Sequence, residues 1–128
     1  MARRARLMPG RVDIDDPRVD VDQGQRLLYR GELFTGEVEE RLGGALVSLD
    51  PYVVGVQHGP SREWYEDGTL RSESTAHEGR PVGVSREWHP NGVLASEVEF
   101  SENGLTMLAE RRWDEEGRPT KNWSASEG

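Results

Sequence analysis

The segment SREWYEDGTLRSE, Ser61–Glu73, returns 24 residues later as SREWHPNGVLASE, Ser85–Glu97. Eight of the thirteen positions are identical, and each copy has a glycine four residues after its tryptophan. The same tryptophan-to-glycine spacing recurs at Trp113 and Gly117, 25 residues after Trp88. A period of this length is the signature of a repeat protein, in which neighbouring units support one another.

Upstream of the first copy the repeat continues in a weaker form. Gly24 and the pair Gly43–Gly44 occupy turn positions, but no tryptophan precedes them. A second set of glycines alternates with the turns at intervals of 23 and 24 residues, at Gly36, Gly59 and Gly83. These landmarks predict about five units of 19–25 residues.

Each unit has the features of a β-hairpin. The proline of HPNG suits the first corner of a type I turn, and Gly92 takes the left-handed position, as Gly68 does in YEDG. A three-residue loop closed by such a glycine is a common hairpin connection. The resulting register predicts four cross-strand pairs, namely Tyr65 with Thr69, Trp64 with Leu70, Glu63 with Arg71 and Arg62 with Ser72.

The parity of the repeat predicts how these hairpins assemble. Side chains alternate along a strand, so Arg62 and Trp64 share a face, and an even period keeps successive tryptophans on it. The extra residue before Trp113 must then be taken up in a loop, for which SENG is the candidate. Pro119, at the leucine position of the last unit, is typical of an edge strand. The sequence predicts an all-β meander of antiparallel hairpins, with Trp123 beyond the repeats.

The composition, with 34% hydrophobic and 31% charged residues, is compatible with one domain that has a small hydrophobic core. We expect residues 1–17 to form a leader, basic and then acidic, for which disorder is an open alternative. Residues 18–123 are predicted to form a single hairpin-repeat domain, and residues 124–128 a flexible tail. The absence of cysteine excludes disulfides and thiolate metal sites.

The charge distribution limits the partners of the predicted domain. The formal net charge is −8, but Arg3, Arg4, Arg6 and Arg11 begin the chain, so the remainder carries about −12. This negative charge disfavours binding to nucleic acid and to anionic membranes and favours binding to a basic protein surface. Because the chain shows neither a secretory signal nor an apolar stretch of membrane-spanning length, we expect a cytoplasmic protein.

No catalytic or cofactor-binding arrangement emerges from the residues. His58, His77 and His89 are 19 and 12 residues apart, which is not a metal-ligand spacing. The acidic run Asp13–Asp22 lacks the glycine and the glutamate of a calcium loop, and no nucleophile elbow or phosphate-binding loop occurs. We therefore expect no enzymatic activity, no cofactor and no metal.

The candidate partner-binding residues come from a repeated Arg-x-Trp motif. A guanidinium above an indole would stiffen a thin sheet, whereas Trp, Tyr and Arg also dominate protein interfaces, and both roles remain open. Glu87, which the predicted register places opposite Ala95 without a partner, could meet a basic protein. The candidates are Arg62, Trp64, Tyr65, Arg86, Glu87, Trp88, Arg111 and Trp113.

The segments GPSREWYEDGTLRSE, GVSREWHPNGVLASE and YRGELFTGEV resemble the MORN-repeat variant family, often labelled YwqK-type antitoxins. The resemblance covers roughly Arg18 to Pro119. It implies a MORN-like single-layer sheet without enzymatic activity that binds other proteins, and the antitoxin label implies neutralisation of a toxin encoded nearby. A scaffold that self-associates without a toxin is the alternative, and a lipid-surface binder is disfavoured by the net charge.

Overall fold

The computed structural model describes residues 8–125, which form thirteen β-strands and contain no helix. The all-β prediction is confirmed. In chain order the strands are β1 Arg11–Asp13, β2 Val19–Val21, β3 Leu27–Tyr29, β4 Glu32–Leu33, β5 Gly36–Leu42, β6 Ala45–Val53, β7 Val56–Gln57, β8 Gly59–Trp64, β9 Leu70–His77, β10 Arg80–Trp88, β11 Leu94–Phe100, β12 Met107–Trp113 and β13 Pro119–Ser124.

Most of the strands belong to one open sheet, here called the main sheet. Its order is β1-β5-β6-β8-β9-β10-β11-β12-β13, with β7 beside β6, while β2, β3 and β4 form a small second sheet. From β5 onward neighbouring strands are antiparallel, which confirms the predicted meander. As predicted for Pro119, β13 is an outermost strand.

The segment assigned to a leader contributes a strand to the main sheet. β1 pairs with β5 in parallel, with Arg11 opposite Glu37 and Val12 opposite Val38, which the antiparallel prediction did not include. Residues 1–7 of the leader, with Arg3, Arg4 and Arg6, and residues 126–128 of the tail lie outside the described residues.

The predicted turn glycines adopt the left-handed conformation. φ is 92° at Gly68, 87° at Gly92 and 85° at Gly117. In the first of these turns the Tyr65 N–H donates to the carbonyl of Thr69 at 2.9 Å, which confirms the three-residue loop. The turn near Gly24 differs, because its left-handed residue is Gln25, with φ 65°.

A second class of turn lies at the other end of the strands. Gly31, Gly55 and Gly79 are each 24 residues apart, and each ends a two-residue turn in which both residues have positive φ. This geometry is that of the type I′ turn, which matches the twist of a hairpin. The corresponding turn of the preceding unit has two residues, whereas the connection that contains SENG is longer and runs from Ser101 to Thr106. This longer loop lies where the extra residue before Trp113 was expected.

A one-residue β-bulge beside each three-residue loop changes the predicted register. Trp64 lies opposite Leu70, as predicted, but the pairs of Glu63 with Arg71 and of Arg62 with Ser72 are wrong. The observed partners are Ser72 for Glu63 and Glu73 for Arg62. In the next unit Glu87 lies opposite Ser96 rather than Ala95. Such bulges accommodate the strong twist next to a tight turn, and turn chemistry alone does not specify them.

The hydrophobic core lies at the start of the main sheet, not under the tryptophans. It joins the two sheets through Val12, Leu27, Tyr29, Phe34 and Val38. Phe34 is fully buried, and a side chain of this type stabilises a fold by about 1.5–3 kcal/mol. The tryptophans at the ends of β8, β10 and β12 are only half-buried. Trp123, predicted to lie beyond the repeats, is part of β13 opposite Glu110.

Candidate partner-binding faces of the sheet

A row of alternating charges crosses five adjacent strands of the main sheet, and we call it the ion-pair ladder. The register aligns Arg62, Glu73, Arg86, Glu97 and Arg111. Glu97 Oε2 lies 2.9 Å from Arg86 Nε, and Glu97 Oε1 lies 3.2 Å from Arg111 Nη1. Glu73 lies 3.8 Å from Arg86 Nη1 and 3.9 Å from Arg62 Nε. Each glutamate is therefore shared between two arginines.

The ladder replaces the predicted stacking of arginine on tryptophan. Within residues 8–125 the guanidinium groups that lie over an aromatic ring are those of Arg18 and Arg30 over Tyr29, and that of Arg71 over Tyr65. The β-bulge brings glutamates into line with the arginines of Arg-x-Trp, and a charge-assisted bond to carboxylate is the stronger interaction. Three predicted site residues, Arg62, Arg86 and Arg111, thus meet in one row.

The predicted aromatic residues link successive units. The Tyr65 hydroxyl donates to the backbone carbonyl of Trp88 at 2.6 Å. His89, the equivalent residue of the next unit, contacts the carbonyl of Trp113 through Nε2 at 2.8 Å, so Nε2 carries the proton. Each contact spans one repeat, so the residues that follow Trp64 and Trp88 connect their own unit to the next one by a hydrogen bond.

The opposite face carries a second row, which we call the serine–glutamate row. Because neighbours on a strand point to opposite faces, Glu63 and Arg62 lie on different sides of the sheet. The register aligns, from β5 to β11, the residues Glu40, Ser48, Glu63, Ser72, Glu87 and Ser96. Sequence reasoning selected only Glu87 from this row, because the alignment depends on bulges.

The carboxylates of the serine–glutamate row are accessible. Glu40, Glu63 and Glu87 are exposed, and within residues 8–125 none of them makes a salt bridge. Successive glutamates are two strands apart, which corresponds to about 10 Å. The serines between them are short, and Ser48 is only 9% exposed. The row therefore presents regularly spaced negative charges.

Beyond Ser96 the residues in register with this row are basic, and an acidic residue of the same chain neutralises their charges. Arg112 and Lys121 follow on β12 and β13, and both bind Glu110, at 2.7 Å and 2.8 Å. The Lys121 ammonium and the Arg112 guanidinium hold the pKa of Glu110 below its usual range. The uncompensated charge of this face is thus concentrated between β5 and β10.

A groove of about 310 Å³ opens in the serine–glutamate row around Ser48. Glu40 and Glu63 flank Ser48, and Leu42, Val47 and Tyr65 add apolar surface. We call this feature the Ser48 groove.

Asp50 adds a further carboxylate near this face. Burial raises its pKa, and the neighbouring charges of Glu63 and Glu40 raise it further. Gln57 Nε2 donates to Asp50 at 3.2 Å and to the Ser61 hydroxyl at 2.9 Å.

The histidines and the acidic N-terminal run make local contacts. The rings of His58 and His77 lie 4.7 Å apart, which their separation in sequence did not indicate, and His58 Nδ1 accepts the Glu78 N–H at 3.2 Å. Asp16 binds Arg18, whose side chain lowers the pKa of Asp16 to about 2. No group of three or more His, Asp or Glu side chains in residues 8–125 is arranged to hold a metal ion.

Two segments of the chain, residues 57–76 and 81–104, match the family model described as MORN repeat variant. The first begins at the last residue of β7 and covers β8 and all but the last residue of β9, and the second covers most of β10, all of β11 and the start of the next turn. No curated protein and no solved structure matches the chain. The match supports the MORN-repeat family for these units, and MORN repeats are generally modules that bind proteins or membranes. In residues 8–125 no helix is long and apolar enough to cross a membrane.

Proposed function

We propose that this chain is a non-enzymatic, cytoplasmic protein-binding module that neutralises a toxin by direct contact, as an antitoxin or immunity protein. The observation that carries the proposal is the serine–glutamate row, in which exposed carboxylates stand at a regular spacing on an open sheet face. Inhibition by contact requires no catalytic group, and the proposal assigns none.

The two faces of the sheet differ in how their charges are compensated. On one face every glutamate of the ion-pair ladder already has arginine partners from the same chain. On the other face Glu40, Glu63 and Glu87 have no such partners among the described residues. Unpaired carboxylates attract a basic protein from a distance and select against acidic partners. We therefore assign partner binding to the serine–glutamate row.

The proposal is tested by affinity purification of the tagged full chain from its native host, with mass spectrometry of the bound protein. We expect one stoichiometric partner with a basic surface, whose expression alone arrests growth and whose co-expression with this chain restores it. High salt should weaken the complex, because the attraction is electrostatic. A stoichiometric partner that is harmless when expressed alone would refute the antitoxin assignment.

The last strand favours a second candidate, a self-assembling scaffold without a toxin. β13 is an outermost strand, and its Trp123 is 44% exposed. Met107 on the neighbouring strand is 40% exposed. Sedimentation velocity over a range of concentrations separates the candidates, since self-assembly predicts a mass that rises with concentration and is lowered in Trp123→Ser.

A further inference from the structure

The Ser48 groove has features that point to a particular ligand chemistry. Glu40 and Glu63 lie on the two strands that flank β6, and each is in register with Ser48. One oxygen of Glu63 accepts the Ser72 hydroxyl at 2.7 Å. The second oxygen of Glu63 and both oxygens of Glu40 have no partner within residues 8–125. The groove therefore offers acceptors on two sides.

The Ser48 hydroxyl adds a further polar atom to the groove. Ser48 lines the groove and is about nine-tenths buried. Among the described residues no hydrogen bond is formed by its hydroxyl, and no fully buried side-chain oxygen there lacks a partner, so this oxygen is accessible from the groove. A donor placed between the two glutamates could also reach this oxygen.

The remaining surface of the groove fits a cation on an alkyl stem. Leu42, Val47 and Tyr65 supply apolar area, against which long cationic side chains pack their methylenes. The chain's own Arg71 guanidinium lies 5.7 Å from the centre of the Tyr65 ring, so this surface already accommodates such a group. Glu66 also lines the groove, so three carboxylates face the single charge of Arg71.

We propose that the Ser48 groove is the docking site for an arginine side chain of the protein partner, an inference that rests on the proposed function. Glu40 and Glu63 bind the guanidinium from opposite sides, and the Ser48 hydroxyl accepts one of its N–H groups. Arginine fits better than lysine, because its planar fork presents several fixed donors and it is more weakly hydrated. The partner is therefore a protein with an exposed arginine, not a membrane or a nucleic acid.

The test uses the isotope-labelled full chain and a minimal probe, N-acetyl-arginine amide, followed by two-dimensional amide NMR. The matched control probe is N-acetyl-citrulline amide, which keeps the shape of the side chain but lacks the charge. We expect saturable shifts of the Ser48, Glu63 and Tyr65 amides with the arginine probe. Loss of the charge-assisted bonds should weaken the citrulline probe by about tenfold or more.

Matched variants locate the binding to the groove. Glu40→Gln combined with Glu63→Gln should weaken the arginine probe by about tenfold, whereas Glu99→Gln, outside the groove and outside the serine–glutamate row, should not change it. Glutamine retains an oxygen that can accept the Ser72 hydroxyl, so thermal unfolding of the double variant should not fall below that of the wild type. Equal binding of the two probes, or equal losses in the double variant and Glu99→Gln, would overturn the inference.

The outcome is separable from that of the proposed function. If a basic toxin is captured but the groove does not respond to the arginine probe, the docking site is wrong and the antitoxin assignment stands. If the groove binds the probe with the expected selectivity but no toxin is captured, the groove is an arginine site and the antitoxin assignment is wrong.

Discussion

Replacement of Glu97 by glutamine should destabilise the fold by about 1 kcal/mol. Glu97 lies at the centre of the ion-pair ladder, 2.9 Å from Arg86 and 3.2 Å from Arg111. Its side chain is 23% exposed, while the two arginine side chains are 40% and 47% exposed, so solvent screens both pairs. Exposed pairs contribute about 0.2–1 kcal/mol each, and the variant loses two. For a chain of this length the melting midpoint should fall by about 4 °C.

Thermal unfolding followed by circular dichroism measures this effect, with Glu99→Gln as the matched control. Glu99 lies on the same strand, two residues along, and makes no salt bridge among the described residues. At about 1 M salt the screening length falls to about 3 Å, and the difference between the two variants should shrink. Equal midpoints for Glu97→Gln and Glu99→Gln at low salt, or a difference that salt leaves unchanged, would refute a stabilising ladder.

Three further predictions concern the fold, each checked by the midpoint of unfolding. Gly55→Ala should destabilise more than Gly68→Ala, because both positions have positive φ but only at Gly55 would the new Cβ lie 2.8 Å from a neighbouring side chain; equal losses would contradict this. Asp50→Asn should raise the midpoint at neutral pH, because the raised pKa of Asp50 means that its buried charge costs stability. This cost arises only above the pKa of the carboxyl in the unfolded chain, about 3.9, so the gain should vanish at lower pH. A gain that persists in acid would argue against this origin. Trp88→Ala should lower the midpoint more than Trp123→Ala, because the Trp88 side chain is half-buried whereas Trp123 is 44% exposed; the reverse order would be inconsistent with this packing.

The hairpin repeat could be predicted because its turns have a strong local chemistry. Gly68 and Gly92 occupy positions that only a left-handed residue fits, and their spacing sets the length of each hairpin. The even period then predicted that equivalent side chains lie on one face. These inferences depend on contacts between residues that are close in sequence.

The core could not be predicted in the same way. Its members lie on β1, β3 and β5 and in the connection between β4 and β5, and Val12 lies in a short acidic segment that resembles a leader. Phe34 and Tyr29 belong to the units with the weakest repeat signal, so the periodicity of the sequence does not mark them as core residues. The parallel pairing of β1 with β5 also requires a long-range connection that no local motif specifies.

The candidate site was only partly predictable, because it depends on register. A one-residue bulge after Leu70 moves Glu73, instead of Ser72, into line with Arg62. The same shift aligns Glu63 with Ser72 and, through the neighbouring strand, with Glu87. Both rows result from these small irregularities, which repeat from unit to unit and which the spacing of glycines does not reveal.

The central claim is that one face of the sheet stabilises the fold and the other binds the partner. The most direct test measures both the melting midpoint and the affinity for the captured partner in two variants, Glu97→Gln and Glu63→Gln. We predict that Glu97→Gln lowers the midpoint and leaves the affinity unchanged, whereas Glu63→Gln weakens binding and does not lower the midpoint. Weaker binding in Glu97→Gln, or a lower midpoint in Glu63→Gln, would contradict the account.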